Sequence, residues 1–414
     1  MISKQMIEKV ELMIDKKKRE VDRLVDLNTE KVIKAFRNHR VSDSHFIPST
    51  GYGYDDAGRQ TLEKVYSEVF GTEAALVRPQ IISGTHAIST CLFGVLRPGD
   101  ELIYITGKPY DTLEEIVGIR GSGIGSLKEY NISYQTVLLK ENQIDYPAVQ
   151  AAMKPNTKMI GIQRSKGYDN RPSFTVEEIG EMIEFVKNIK PDVVVFVDNC
   201  YGEFVETNEP TDVGADLIAG SLMKNPGAGL VKTGGYIAGR ADLVERCAFR
   251  LTVPGIGAEA GAMLYSLLEM YQGFFMAPHT VGEALKGAIF TAAMLEEYGF
   301  DSEPKWNADR TDLIQSVSFH DRDKMIAFCQ QIQFASPINS HVTPMPAYMP
   351  GYEDDVIMAA GTFIQGSSIE LSADGPLRPP YTAFVQGGLT YSHVKYAVCQ
   401  ALNELIEKKL VKII

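Results

Sequence analysis

A carboxylate and a lysine follow two apolar runs of the sequence, at the points where buried strands are expected to end. The run VVVFV leads directly into Asp198, and the run DLIAG leads into Ser221 and then Lys224. Continuous apolar runs of this length are typical of strands buried on both faces. Because such strands end at a shared edge of the sheet, we expect Asp198 and Lys224 to lie close together. A lysine that can bond an aldehyde and a carboxylate that can pair with a pyridinium nitrogen suit a pyridoxal-phosphate site.

Lys224 is the candidate for that bond. Lys166 and Lys232 are its competitors, and most lysines in proteins are solvated surface groups. Lys224 differs because it follows an apolar run directly and lies among small and apolar residues. A lysine needs a lowered pKa to act as a nucleophile, and burial beside a cationic group would lower the pKa of Lys224. Ser221 is predicted to reach a phosphate from the same turn, and the alternative role of Asp198 is that of a turn or capping acid.

A second candidate element is the helix start at Ser83-Gly84-Thr85-His86. A glycine with small hydroxyl residues at a helix start offers free N–H groups and the positive end of the helix dipole to an anion. Serine and threonine also cap most helices, so this pattern alone is only weakly predictive of a phosphate site.

Length and composition limit the class of protein. The chain has 414 residues, a formal net charge of −12 and 44% hydrophobic residues. This length predicts two domains, and the negative charge argues against a nucleic-acid partner or an anionic membrane partner. No apolar run reaches the ~20 residues that a membrane-spanning helix needs, and no signal peptide is apparent. The five scattered cysteines predict neither disulfides nor a metal site, which favours a cytoplasmic protein.

The order of the apolar segments predicts an α/β fold. Residues 1–40 have helical spacing with a break at Asn28-Thr29, so two helices are expected there. Seven strand-like segments lie between residues 74 and 238, and most of them are separated by helices. This alternation predicts a mainly parallel seven-stranded sheet with helices on both faces.

A mostly helical stretch, residues 251–298, is expected to lead into a smaller C-terminal α+β domain. The strand candidates of that domain are residues 313–319, 356–360 and 368–373. The predicted domain limits are 1–45 for an N-terminal helical arm, 46–285 for a large cofactor-binding domain and 286–414 for a small domain.

The segment between Val193 and Gly239 resembles the active-site core of the fold-type I pyridoxal-phosphate enzymes. The likeness runs from about Ser49 to the C-terminus and includes the sequence RPGDELIYITGKPYDT after the helix that starts near Ser83. These features occur in the order that the cystathionine/methionine lyase group shows, and the chain is most similar to its aluminium-resistance, or methionine gamma-lyase-like, branch. The resemblance implies the fold-type I transferase fold and pyridoxal 5′-phosphate as the cofactor.

The resemblance also implies roles for single residues. Tyr110 would stack on the cofactor ring and pass protons. Arg378 would hold the α-carboxylate of the substrate, a task that suits the planar donors of a guanidinium, and its alternative is a surface loop position. His86 would be a second neighbour of the ring, or else a structural hydrogen-bonding residue.

Three residues are implied to act between subunits. Tyr52, Tyr54 and Arg59 would reach the phosphate bound by a neighbouring chain, which predicts a homodimer or homotetramer with shared active sites. The other residues expected to contact the cofactor are Ser83, Gly84, Thr85, Ser221 and Thr233.

The resemblance to these lyases implies a carbon–sulfur lyase that cleaves a sulfur-containing amino acid, such as cystathionine or methionine, by β- or γ-elimination. The expected catalytic residues are Lys224, Tyr110 and Asp198. The alternatives are another pyridoxal-phosphate reaction, such as transamination or aldol cleavage, and a non-catalytic protein that keeps the fold. Residues 163–170, QRSKGYDN, depart from the acidic motif of the lyases and leave open whether Arg164 or Lys166 meets the substrate.

Overall fold

A seven-stranded sheet forms the centre of the larger part of the molecule. The computed structural model describes residues 1–349 and 352–412. The strands of this sheet are β1 (Ala74–Arg78), β2 (Glu101–Tyr104), β3 (Ser133–Thr136), β4 (Thr157–Gln163), β5 (Val194–Asp198), β6 (Leu217–Ser221) and β7 (Gly235–Gly239). They lie in the order β1-β7-β6-β5-β4-β2-β3.

The sheet is mixed. The neighbouring pairs from β6 across to β3 are parallel, whereas β7 is antiparallel to both β1 and β6. The prediction of a mainly parallel sheet therefore holds for β2 to β6 and is wrong for β7. The connection between β6 and β7, residues 222–234, holds only a single 3₁₀ turn and no α-helix, whereas the crossover between two parallel strands is usually an α-helix.

Helices pack on the faces of this sheet. The α-helices in the described part of the chain are α1 (Lys4–Asn38), α2 (Ala57–Val69), α3 (Gly84–Val95), α4 (Asp111–Val117), α5 (Tyr146–Ala152), α6 (Val176–Ile189), α7 (Ala241–Leu251), α8 (Leu267–Glu297), α9 (Arg322–Phe334) and α10 (Tyr391–Glu407). None of them is long and apolar enough to cross a membrane.

The N-terminal helix is one continuous helix, and the prediction of two helices with a break at Asn28-Thr29 is wrong. The side chain of Asn28 is fully buried, and its amide nitrogen donates hydrogen bonds to the carbonyl oxygens of Phe204 (3.0 Å) and Glu206 (3.2 Å). Asparagine often caps helices, but here Asn28 lies inside α1 and hydrogen-bonds the loop after β5. These tertiary contacts override the local preference for a helix end.

Five antiparallel strands form a second sheet. Its strands are β8 (Asp301–Glu303), β9 (Gln315–Ser318), β10 (Val356–Ala359), β11 (Ser372–Pro376) and β12 (Thr382–Gln386), in the order β10-β11-β12-β9-β8. The strand predicted at 368–373 lies mostly before β11, and two strands, β8 and β12, were not predicted. The predicted helical stretch 251–298 is irregular at residues 252–266 before α8 begins. The predicted domain limit at 285/286 falls inside α8, and the division into three parts stays a prediction.

Candidate active site

Two adjacent strand ends bring Asp198 and Lys224 to one cavity. Asp198 is the last residue of β5, and Lys224 lies three residues beyond the end of β6, which pairs with β5 in parallel. The cavity has a volume of about 50 Å³. Its lining residues are Thr85, Ile88, Tyr110, Thr112, Leu113, Gln163, Ser165, Gly167, Asp198, Cys200, Tyr201 and Lys224. We call it the inner cavity.

Lys224 is half-buried, and its ammonium group lies over an aromatic ring. The Nζ atom is 3.9 Å from the centre of the Tyr201 ring. Burial acts to lower the pKa of Lys224, but the acidic neighbours Cys200, Tyr201 and Asp198 outweigh burial and leave the pKa above its ordinary value. This is the opposite of the lowered pKa predicted from the sequence, because the groups around the amine are acids and not cations.

Asp198 is buried and partly satisfied by the backbone. Its Oδ1 accepts a hydrogen bond from the backbone N–H of Cys200 at 3.1 Å. Burial raises the pKa of Asp198, while Lys224 and the hydrogen bond from Cys200 act to lower it. A carboxylate held in this way is stabilised by a cationic partner, which is the requirement for binding a pyridinium nitrogen.

The N-terminus of α3 meets the strand ends closely. Ser83 caps the helix by accepting a hydrogen bond from the backbone N–H of His86 at 3.1 Å. A Cβ atom on Gly84 would lie 3.1 Å from the sulfur of Cys200 and 3.3 Å from the Cβ of Ser221. Glycine is thus the residue that lets the helix start approach the end of β6. Thr85 lines the inner cavity, where its hydroxyl lies 3.1 Å from that of Thr112.

Five of the contacts predicted within the same chain do not line the inner cavity: Ser83, Gly84, His86, Ser221 and Thr233. His86 has a structural hydrogen bond, since its Nδ1 accepts from the backbone N–H of Ile82 at 3.3 Å, and burial lowers its pKa. Thr233 is half-buried in the turn before β7 and does not line the inner cavity. Ser221 is buried at the end of β6, where its hydroxyl accepts a hydrogen bond from the backbone N–H of Met223 at 3.2 Å.

Tyr110 connects the inner cavity to a wider, open one. It precedes α4 and lines both cavities, as does Gln163. The wider cavity, which we call the outer cavity, has a volume of about 500 Å³, and ten of its 21 lining residues are charged. Arg378 lines the outer cavity; it is 48% exposed and forms an ion pair with Asp354 at 3.0 Å. Arg378 thus lines the outer cavity and not the inner one.

The three residues predicted to act between subunits lie away from both cavities. Tyr52 and Tyr54 are exposed, and their rings stack at a centroid distance of 5.4 Å. Arg59 is only 1% exposed, and its guanidinium donates hydrogen bonds to the carbonyl oxygens of Gly53 (2.6 Å), Gly261 (2.8 Å) and Glu259 (2.9 Å). Arg59 is therefore committed to its own chain, where it holds the loop that carries the two tyrosines.

The sequence left open whether Arg164 or Lys166 contacts the substrate. In the structure both side chains are engaged in contacts within the protein. Arg164 is fully buried and forms ion pairs with Glu206 at 2.8 Å and Glu209 at 3.4 Å. Lys166 borders the outer cavity, but its ammonium donates to the carbonyl oxygen of Glu303 and to the hydroxyl of Ser316, both at 3.0 Å. Lys166 therefore joins the end of β4 to the second sheet.

Several residues of the site were not identified from the sequence. Tyr201 lies three residues after Asp198 in DNCYGEF, and this closeness to a strand end was the available signal. Tyr352 and Asp374 come from the second sheet and the segment before it, and no local pattern marks them. Asp374 is buried, and burial raises its pKa to about 7, although its hydrogen bond with Tyr168 acts to lower it.

The family profile for methionine gamma-lyase matches residues 3–406. The chain belongs to the methionine gamma-lyase family. This confirms the resemblance predicted from the sequence and extends it to α1. The prediction of a carbon–sulfur lyase is confirmed at the level of the family.

Relatives of this methionine gamma-lyase family member cover nearly its whole length. The uncharacterized protein YnbB of Bacillus subtilis (strain 168) is 69% identical over 395 residues, which are 95% of this chain and 94% of that protein. A crystal structure from Listeria monocytogenes, whose name proposes a cystathionine beta-lyase involved in aluminium resistance, is 67% identical with a TM-score of 0.96. The match covers 97% of this chain and 100% of the Listeria chain. The pyridoxal-5′-phosphate-dependent protein YhfS of Escherichia coli is 16% identical over 92% of this chain and 97% of its own, with a TM-score of 0.61, and so shares the fold.

Proposed function

We propose that this protein is a pyridoxal-phosphate-dependent carbon–sulfur lyase that cleaves a sulfur-containing amino acid, such as cystathionine or methionine, by β- or γ-elimination. The observation that carries the proposal is the shared cavity of Lys224 and Asp198, which arises from two adjacent strand ends. The membership of the methionine gamma-lyase family supports the same reaction class.

The residues of the inner cavity fit pyridoxal phosphate. They include an amine, a buried carboxylate and a phenol, which match the aldehyde, the ring nitrogen and the ring of the cofactor. The start of α3 and Ser221 provide N–H and hydroxyl groups of the kind that bind a phosphate. The side-chain Oε1 of Gln163 is buried at this cavity without a hydrogen-bond partner in the described part of the chain, so an acceptor is available for a bound polar group.

Each residue has one task in the proposed reaction. When bound, pyridoxal phosphate supplies a ring that withdraws electrons from the substrate Cα. Asp198 would hold the proton on the ring nitrogen, and Lys224 would remove the proton from Cα. Tyr110 gives a proton to the leaving sulfur. Arg378 binds the α-carboxylate of the substrate, which then replaces Asp354 as its partner.

The charge balance around Lys224 fits this sequence of tasks. Asp198 is one of the acidic groups that raise the pKa of Lys224. If a cationic ring nitrogen were held by Asp198, it would offset the charge of that carboxylate and so favour the neutral amine of Lys224 that the proposed reaction needs.

We also propose that the working unit is a homodimer or homotetramer in the cytoplasm. Tyr52 and Tyr54 are 72% and 54% exposed, their rings stack on each other, and Arg59 holds their loop in place. These tyrosines are suited to reach the site of a second chain, as the resemblance implies. The five free cysteines are compatible with a reducing compartment.

The experiment that tests the proposed reaction is an assay of the purified protein with cystathionine, methionine and cysteine. We expect release of a keto acid, ammonia and a thiol in equal amounts, and no release by the Lys224→Ala variant. Keto acid without ammonia or thiol, formed only with an amino-group acceptor present, would instead indicate a transaminase. Turnover by Lys224→Ala equal to that of the unaltered protein would contradict the assignment of Lys224.

A further inference from the structure

Tyr352, which lies in the segment before the second sheet's strand β10, forms a hydrogen bond with the hydroxyl of Tyr110. The phenol oxygens of Tyr110 and Tyr352 are 2.6 Å apart, although the residues are 242 positions apart in the sequence. Tyr110 precedes α4 beside the large sheet, and Tyr352 lies in the segment that leads into β10. Both rings line the outer cavity, and they meet nearly edge to face, with an interplanar angle of 83°.

The two phenols differ in their surroundings. Tyr110 also lines the inner cavity, where the reaction takes place, whereas Tyr352 lines only the outer cavity. Burial raises the pKa of both phenols. The hydrogen bond between their hydroxyls gives a direct path by which a proton can pass from Tyr352 to a Tyr110 phenolate.

Other titratable groups also lie near the pair. Tyr201 and the carboxyl of Asp374 raise the pKa of both phenols, and Asp111 raises that of Tyr352. Tyr168 packs against both rings at centroid distances of 6.1 Å from Tyr110 and 5.6 Å from Tyr352. The hydroxyl of Tyr168 is bonded to Asp374 and not to the pair.

We propose that Tyr352 is a positioning residue that makes Tyr110 an effective acid: it holds the Tyr110 hydroxyl and returns a proton to it after the leaving sulfur has been protonated. This inference rests on the proposed lyase reaction. In the step itself the carbon–sulfur bond breaks with its electron pair on sulfur, the O–H bond of Tyr110 breaks and an S–H bond forms. The proton of Tyr352 then moves to the Tyr110 oxygen, and water in the outer cavity replaces it on Tyr352.

The test uses substrates whose leaving thiols differ in acidity. An S-alkyl cysteine releases a basic thiolate that needs a proton, whereas an S-(2-nitrophenyl) cysteine releases a thiolate that is stable without one. Removing the hydroxyl in Tyr352→Phe should lower kcat for the S-alkyl substrate by ~10-fold to ~100-fold, the lower part of the range for proton transfer by a positioned acid. For the S-aryl substrate we expect a change of less than ~3-fold, because no proton is required at that step.

Two further variants keep the test informative. Tyr348→Phe is the matched control, since Tyr348 belongs to the same segment and is 75% exposed, and we expect no loss with either substrate. Tyr110→Phe should show the same dependence on the leaving group. Because the two phenols act as one unit, the double variant should be no slower than Tyr110→Phe alone. Additive losses in this double-mutant cycle would overturn the inference.

A readout independent of turnover is the ¹⁹F NMR signal of 3-fluorotyrosine placed at position 110. Loss of the hydrogen bond in Tyr352→Phe should shift this signal, and Tyr348→Phe should leave it in place. An unchanged signal in Tyr352→Phe, or equal losses of kcat with both substrates, would overturn the role of Tyr352. If the unaltered protein cleaves the S-aryl substrate, the lyase proposal stands whatever the outcome for Tyr352. If the unaltered protein cleaves neither the S-alkyl nor the S-aryl substrate, the lyase proposal fails, and the proposed role of Tyr352 in that reaction fails as well.

Discussion

Replacing Glu203 with glutamine removes a buried acid and keeps the size of the side chain. Glu203 has no exposed surface, and its Oε1 accepts a hydrogen bond from the hydroxyl of Tyr236 at 2.8 Å. Its other oxygen, Oε2, has no partner among the described residues. The carboxyl fits there because residue 220 is glycine, whose added Cβ would lie 2.5 Å from Oε1. Such an environment favours the uncharged form of the acid.

The expected effect on stability follows from the pKa. Burial raises the pKa of Glu203 from 4.5 to about 8, although the hydrogen bond from Tyr236 acts to lower it. Each tenfold change in proton affinity is worth ~1.4 kcal/mol, so the rise corresponds to ~5 kcal/mol between the two protonation states. Because the folded-state pKa is raised, the contribution of Glu203 to stability is fully present below pH ~4.5 and is lost as the pH rises toward about 8.

Glutamine carries no such dependence, so the variant should gain stability relative to the unaltered protein as the pH rises. From pH ~5 to pH ~8 the difference in free energy of unfolding should move in its favour by ~3–4 kcal/mol, on top of a constant cost from placing an amide beside unpaired groups. Urea unfolding at a series of pH values measures this difference. The matched control is Glu184→Gln, which removes an exposed carboxyl on α6 and should show no comparable trend.

Infrared spectroscopy checks the same reasoning without unfolding. At neutral pH the unaltered protein should show the carbonyl band of a protonated carboxylic acid that Glu203→Gln lacks. A stability difference that does not change with pH, together with the absence of this band, would refute the raised pKa and the argument from burial.

Three further predictions concern the site and its assembly. Borohydride reduction of the protein with pyridoxal phosphate should link the cofactor to Lys224, as read by peptide mass spectrometry; a link at Lys232 would show that the assignment is wrong. Arg378→Ala should raise KM for the amino acid by ~10-fold, less than for a buried ion pair because the side chain is 48% exposed, and should leave the cofactor absorbance unchanged. An active variant with an unaltered KM would remove Arg378 from substrate binding. Mixing Lys224→Ala chains with Tyr54→Ala chains under conditions of subunit exchange should restore some activity, since one site in each hybrid dimer keeps both residues. No recovery despite demonstrated exchange would contradict a role for Tyr54 in the neighbouring site.

Local sequence was sufficient to predict the centre of the site. Asp198 and Lys224 directly follow short apolar runs, and a run of that kind predicts both a buried strand and the place where it ends. The helix start at Ser83 and the position of Tyr110 before α4 are also local signals, and the structure places Thr85 and Tyr110 in the same cavity as Lys224. These predictions succeeded because strand ends and helix starts depend on residues close together in the chain.

The direction of β7 and the continuity of α1 depend on the tertiary structure. The connection before β7 contains no crossover helix, and β7 pairs antiparallel with β6, a direction that becomes clear only once the neighbouring strand is known. Asn28 has the side chain of a helix cap, yet burial against the carbonyl oxygens of Phe204 and Glu206 keeps it inside a helix. Local propensity is worth less than ~1 kcal/mol per residue, which two buried hydrogen bonds exceed.

What the sequence by itself determined is therefore the family, the reaction class of that family and the edge of the sheet where Asp198 and Lys224 meet. What only the tertiary structure decided is the use of each charged or phenolic side chain. The resemblance predicted Arg59 to be a phosphate ligand, but its guanidinium donates hydrogen bonds to three carbonyl oxygens of its own chain. Tyr352 has no local signal and meets Tyr110 across 242 positions. The reason is physical: a strand or helix is encoded by neighbours along the chain, whereas the partner and the pKa of a buried polar group are set by whatever the fold brings within a few ångströms of it.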